Sequence, residues 1–247
     1  MPYLYAIIVG VLMTSCTLAE SLDWPPTPYQ ADYELSINGQ VIGDASRRLS
    51  QVSPGHWLYQ TQAQAGLIAH AEESSEFTIS GDQIHPQHYH LQRQMLLSLR
   101  HTDLDFDWSA HTLSTRTERD DTRHYPLPEN SLDKLSLELQ MRRDLQNGQA
   151  HLVYPLADAD GIKNYQYQVS SHESLSTALG TFDTVKIERP HTAQDKRYTL
   201  FWVAPQLGYL PVQIEQYENG TDFILRIKAY HRGAPGADQA LGKVTPR

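Results

Sequence analysis

"YELSINGQVIGDASRRLS", residues 33–50, decides the fold class. Tyr33, Leu35 and Ile37 alternate with Glu34 and Ser36, the period-two pattern of a strand with one face buried. Asn38-Gly39 then supplies the residue types that tolerate φ > 0 at both centres of a two-residue hairpin turn. Strand, tight turn, strand is the unit that the rest of the chain repeats. "HWLYQTQAQAG" (56–66) reads as a third strand. "SSEFTISGDQIHPQHYHLQRQ" reads as strand, Gly-Asp turn, strand. In "LSLRHTDLDFDWSAHT", Leu104, Phe106 and Trp108 alternate with Asp103, Asp105 and Asp107. Strands resume at "QAHLVYPLADADG" and continue through "TDFILRIKAYH", with Glu-Asn-Gly marking the last hairpin.

One segment departs from this period. In "PENSLDKLSLELQMRRDLQNGQ" (128–149), Leu132, Leu135, Leu139 and Leu145 recur at helical spacing. Asn130 or Ser131 can cap the start, and Gly148 can end it. Arg142 and Arg143 lie where the helix dipole favours cations. The expected architecture is therefore mainly β: about a dozen antiparallel strands in a strongly bent sheet or partly open barrel, with one packed helix over about 131–146. No internal repeat or composition shift divides it, so residues 29–231 read as one β-rich domain.

Composition narrows the function classes. Of 247 residues, 40% are apolar and 20% charged, a balance that supports a packed core. Fourteen Tyr and four Trp suit a strand-rich chain. The net charge of −9, with no clustered Lys and Arg, leaves out nucleic acid as a partner and gives no basic footprint for an anionic membrane.

"YLYAIIVGVLM" (3–13) has the length and apolarity of the core of an export signal and is too short for a comfortable membrane span. Residues 1–19 are expected to be a signal peptide, with Thr17 and Ala19 forming a small-x-small site before Glu20. Alternatively, "LMTSC" resembles a lipobox in which Cys16 becomes the lipidated first residue; Met13 fits that pattern poorly. A periplasmic protein is thus expected, with an outer-membrane lipoprotein anchored through Cys16 as the alternative. No transmembrane span remains in the mature chain. Cys16 is the only cysteine, so no internal disulfide or thiolate cluster can form. Residues 20–28 form a Pro-rich linker, and 232–247, which lose apolar periodicity, a flexible tail.

"YELSINGQVIG", "ISGDQIHPQHYH", "LDKLSLELQMRRDL", "ALGTFDTVKIER" and "RYTLFWVAPQLGYLPVQIE" occur in an order that resembles the bacterial exported proteins of the domain of unknown function 3108 family. The resemblance spans about residues 29–231. It implies a β-rich envelope protein and no particular reaction. It also implies that Pro86 and Tyr89 are framework positions, with His85, His88 and His90 interspersed around them.

The candidate sites are few. His88 and His90 share a strand face and are the candidate metal ligands, but H-x-H without further ligands is weak, and a solvated polar face is the simpler account. Asp103, Asp105 and Asp107 would pair with Arg93, Arg116 or Arg119 across strands. Asp158 and Asp160 before Gly161 lack the remaining ligands of a calcium loop. Neither G-x-S-x-G nor H-E-x-x-H occurs, and no cofactor is indicated. Trp202 and Tyr209 could line a ligand cavity or fill the core. Arg142, if on the concave side, could grip an anionic head group; the alternative is a solvated guanidinium at the helix end.

The expected function is an exported envelope protein that binds a lipid or other apolar ligand without catalysis, in a cavity between sheet and helix. A structural or protein-interaction module of the envelope, paired with another envelope protein through a sheet edge, is the alternative. A metal-dependent enzyme stands third.

Overall fold

The computed structural model describes residues 24–66, 69–95, 98–119, 121–192 and 194–233. The expected signal peptide, Cys16 and the tail beyond 233 lie outside these residues. Eight strands come first: β1 (Tyr29–Ile37), β2 (Gln40–Ser53), β3 (His56–Ala65), β4 (Ala69–Ser80), β5 (Gln83–Met95), β6 (Ser98–Asp107), β7 (Thr112–Thr117) and β8 (Thr122–Pro126). The helix α1 (Lys134–Gln146) follows. Six more strands complete the chain: β9 (His151–Asp158), β10 (Gly161–Thr177), β11 (Gly180–Glu188), β12 (Arg197–Ala204), β13 (Leu210–Glu218) and β14 (Thr221–Arg232).

All fourteen strands form one antiparallel sheet in the order β8-β7-β6-β5-β4-β3-β2-β1-β14-β13-β12-β11-β10-β9. Consecutive strands pair with one another except β8 and β9, and the first strand pairs with the last. This is a bent sheet closed everywhere except between β8 and β9. The chain crosses from one edge to the other through α1. The Asn38-Gly39 turn has φ of 48° and 78°, as its residue types require.

Register explains the two faces, because directly paired residues of antiparallel strands point the same way. Tyr59, Ser75, Tyr89, Leu104 and Thr115 form one row across β3 to β7, and all are buried. Ile187, Phe201, Ile214, Leu225, Leu35, Gly43 and Ala65 continue the inner face from β11 round to β3. Gly43 is required there, because a Cβ would lie 1.8 Å from the Gln64 carbonyl oxygen. The outer face is polar; Glu76, His88, Asp105, Ser114 and His124 make one of its rows.

Two expectations need correction. The helix starts at Lys134, and its cap is Asp133 rather than Asn130 or Ser131. The Asp133 carboxylate accepts from the N–H groups of Leu135 (2.8 Å) and Ser136 (2.9 Å), while the Ser136 hydroxyl accepts from the Asp133 N–H (2.9 Å). Leu132 lies before the helix and makes a parallel bridge to β9, donating to the Pro155 carbonyl and accepting from the Ala157 N–H. The leucines do not define a single buried stripe either, for every residue from Leu135 to Arg142 is buried. A helix covered on all sides runs through an interior rather than across a surface.

The edges are protected. β8 ends in Pro126, β9 carries Pro155, and Leu132 occupies part of the β9 edge. At the other end of the seam, Tyr125 sits so close over Gly161 that a Cβ there would lie 2.9 Å from its ring. The Thr115 hydroxyl also donates to the Ala159 carbonyl (3.2 Å).

Candidate functional site

The helix brings polar side chains into an otherwise apolar interior. Trp57, Phe77, Tyr89, Leu104, Phe106 and Leu113 belong to one continuous buried cluster with Leu135, Leu139 and Met141 of α1. Within it, Glu138 and Arg142 lie one helical turn apart, and Glu138 meets Arg47 of β2. Their side chains belong to residues only 3%, 1% and 8% exposed respectively.

Glu138 is the hub. Arg47 Nη1 donates to its Oε2, and the Tyr59 hydroxyl donates to its Oε1 at 2.7 Å. The Tyr29 hydroxyl donates to that of Tyr59 at 3.0 Å. Arg142 Nη1 donates to the Tyr29 hydroxyl at 3.0 Å, and its Nε to the Gly208 carbonyl at 3.1 Å. The Arg142 guanidinium also lies 5.2 Å from the centre of the Tyr29 ring, and that of Arg47 lies 5.8 Å from the Tyr33 ring. In this cluster two guanidiniums face one carboxylate.

Electrostatics hold the two arginines as cations and the three tyrosines neutral. Burial opposes the Arg47 cation, but Glu138 and the surrounding tyrosines more than offset it and hold Arg47 well above its ordinary range. Burial raises the Tyr29, Tyr33 and Tyr59 hydroxyls, so each remains a neutral donor. A second polar anchor sits at the helix start. Ser75 donates to Asp133 Oδ2 at 2.6 Å, and burial pushes the Asp133 carboxyl up to about 6 against its hydrogen bonds. Around the helix, Gln140 accepts from the Ile84 N–H and donates to the Asp82 carbonyl, each at 3.2 Å.

The inner wall of β2 and β3 carries donors that these contacts leave unused. Arg47 Nε, Trp57 Nε1 and the Thr61 hydroxyl are buried and have no hydrogen-bond partner among the described residues. Arg47 and Thr61 are direct cross-strand partners; Trp57, Tyr59 and Thr61 share one face of β3. Native interiors pair nearly all such groups, so a patch of unpaired donors beside one carboxylate is a distinctive feature.

The residues singled out in the sequence fall in three places. Arg142 faces the interior and is fully buried, which replaces the solvated-guanidinium alternative. It reaches the loop of Tyr209 through Gly208, and Tyr209 itself adopts φ of 58°. Trp202 lies on the other face: it is paired in register with Lys186 and Gln213, donates to Glu173 at 2.7 Å and sits 4.9 Å beneath Lys186.

His88 and His90 share the outer face, as their spacing requires, and hydrogen bond to Asp105 (2.8 Å) and Asp103 (2.6 Å) across β6. Asp103 also meets Arg116 at 3.5 Å, whereas Arg93 reaches Glu218 instead. Among the described residues, no group of three or more His, Cys, Asp or Glu side chains comes together to hold a metal ion. Tyr89 points inward and donates to Glu73. Pro86 lies within β5 rather than starting it, beside a register shift at Glu76/Phe77.

The helix itself fills the interior that the sheet encloses, every residue from Leu135 to Arg142 being buried. Two grooves lie elsewhere. One, of about 520 Å³, is lined by Asp32, Asp44, Gln62, Gln64, His70 and Lys228 among others; the second, of about 270 Å³, includes Glu173, Asp183, Thr184 and Pro205. Neither is lined by α1. The interior network was beyond sequence reasoning, because Arg47, Tyr59 and Glu138 are 12 and 79 residues apart in sequence and meet only through the bend of the sheet.

The sequence profile of the family described as "Protein of unknown function (DUF3108)" matches residues 32–225. The chain belongs to this family. Among curated proteins, none matches. Of solved structures, the beta-barrel-like protein of domain of unknown function DUF1849 from Brucella abortus is similar at 8% identity. The match covers 85% of this chain and 99% of that one, with a TM-score of 0.55. The likeness is one of fold and agrees with the bent, barrel-like DUF3108 sheet. A candidate lipoprotein from Parabacteroides distasonis overlaps at 10% identity, 87% and 99% coverage and a TM-score of 0.35. No described helix of the DUF3108 chain is long and apolar enough to cross a membrane.

Proposed function

We propose that this protein is an exported envelope protein that binds an apolar ligand, such as a lipid, without catalysis, and that α1 is the movable plug of the binding site. The observation that carries this reading is topological. The helix enters the sheet at the seam between β8 and β9, where no strand pairing closes it. Withdrawing it breaks no ladder between strands; among backbone contacts to the sheet it loses the two Leu132 hydrogen bonds to β9. What it uncovers is an aromatic and aliphatic inner wall, and apolar walls with a few placed polar groups are the usual lining of lipid and small-molecule sites.

The bound state is then an exchange: ligand in, helix out. Export to the periplasm, or anchoring at the outer membrane through Cys16, would bring the site to envelope lipids. The test is native mass spectrometry of the protein purified from an envelope extract, together with hydrogen exchange of residues 134–146. A co-purifying lipid, one per chain, with faster exchange in α1 supports the reading. A stoichiometric protein partner, no lipid and an unchanged helix overturns it in favour of an interaction module.

A further inference from the structure

Resting on that reading, we infer that Glu138 occupies the subsite of a ligand's oxyanion head group, so the ligand is an amphiphile with a carboxylate or phosphate at one end. The wall and the helix contribute differently to the buried network. Glu138 and Arg142 are on α1 and leave with it. Arg47, Tyr59, Thr61 and Trp57 are on the sheet and stay.

With the helix withdrawn, the wall retains one guanidinium, one phenol and two further donors; the wall carboxylate Glu73 is the cross-strand partner of Thr61 and is engaged by the Tyr89 hydroxyl. Such a patch inside an apolar trough attracts an anion, since charge-assisted bonds from Arg are strong and geometrically selective in a dry site. The resting fold satisfies the patch incompletely. Glu138 takes Arg47 Nη1 and the Tyr59 hydroxyl, yet Arg47 Nε, Thr61 Oγ1 and Trp57 Nε1 remain unpartnered. A head group free of the helix backbone can settle closer to those donors than Glu138 does. The internal carboxylate therefore acts as a built-in competitor, holding the plug shut until a better anion displaces it. The chain of such a ligand would lie along Trp57, Phe77 and Tyr89, which share the inner face.

The experiment measures binding of three single-chain C16 probes to the mature protein: palmitate, lysophosphatidate and the uncharged monoacylglycerol. Both oxyanion probes are expected to bind at least about tenfold more tightly than the neutral one. The better of the two identifies carboxylate or phosphate as the natural head group. Tyr59→Phe, which removes only a hydroxyl, should narrow the preference for the oxyanion probes over the neutral one by about three- to tenfold, because losing the bond to Glu138 eases helix withdrawal for all three probes alike. Glu138→Gln should tighten oxyanion binding; if that variant does not fold, Tyr59→Phe alone decides. Equal binding of all three probes, indifferent to Tyr59→Phe, overturns the head-group inference and leaves the apolar site standing. No binding of any probe, with α1 equally protected throughout, overturns both.

Discussion

Asp133→Asn is the most informative single substitution, because it separates the helix cap from its ionisation. In the fold the Asp133 carboxyl lies at about 6, against 3.8 in the unfolded chain, a difference of about 3 kcal/mol in the free energy of ionisation. Below pH 3.8 the group is protonated in both states, and its contribution to stability is fully present. Between 3.8 and about 6 the unfolded chain ionises first, so stability falls as pH rises. Above 6 this loss levels off at about 3 kcal/mol. Asn keeps the acceptor for the Leu135 and Ser136 N–H groups and can donate to Ser75, yet it does not titrate. The variant should match the wild type within about 1 kcal/mol at pH 4 and exceed it by up to about 3 kcal/mol at pH 7.5. Urea unfolding followed by tryptophan fluorescence from pH 4 to 8 measures the difference. A difference that does not change with pH would refute the reasoning, since it would mean that burial imposes no cost on the Asp133 charge.

Arg47→Met and Glu138→Leu should each cost about 3–5 kcal/mol, with Glu138→Leu the more damaging because it leaves both Arg47 and Arg142 without a carboxylate. The double variant should fall short of the sum by at least about 2 kcal/mol in equilibrium unfolding; simple additivity would show that the pair is not coupled. Gly43→Ala should cost more than about 2 kcal/mol, because the new methyl meets the Gln64 backbone, whereas a neutral result would place β2 and β3 further apart than described. Changing His88 and His90 together to Gln should alter stability by less than about 1 kcal/mol and leave the protein's metal content as it was, both read on purified protein.

Much of the fold was legible because strand periodicity is local. Tyr33, Leu35 and Ile37 announce an inner face, and Asn38-Gly39 announces the turn, without help from distant residues. The helix was legible from its leucines, but its seat was not. Leu132 reads as the first residue of the apolar stripe, yet it belongs to a bridge with β9, a partner 24 positions away. Glu138 and Gln140 carry no apolar signal, and they are buried because the sheet wraps past the helix on that side too. The site residues divide along the same line. Arg142 could be nominated from its place on the helix, whereas Arg47 and Tyr59 sit in strands whose alternation marks them only as inward-facing. Trp202 is buried, as its residue type suggests, yet its register with Lys186 and Gln213 turns it to the face opposite Ile187, where it packs beneath Lys186.

A movable α1 leaves the sheet while the sheet stays folded. Native-state hydrogen exchange, followed as urea is raised in steps below the unfolding transition, tests it most directly. The amides of residues 137–146 should exchange through an opening of lower free energy than those of β1 and β14, whose pairing joins the two halves of the sheet. Exchange of α1 only through global unfolding, at the same free energy as β1 and β14, would contradict it.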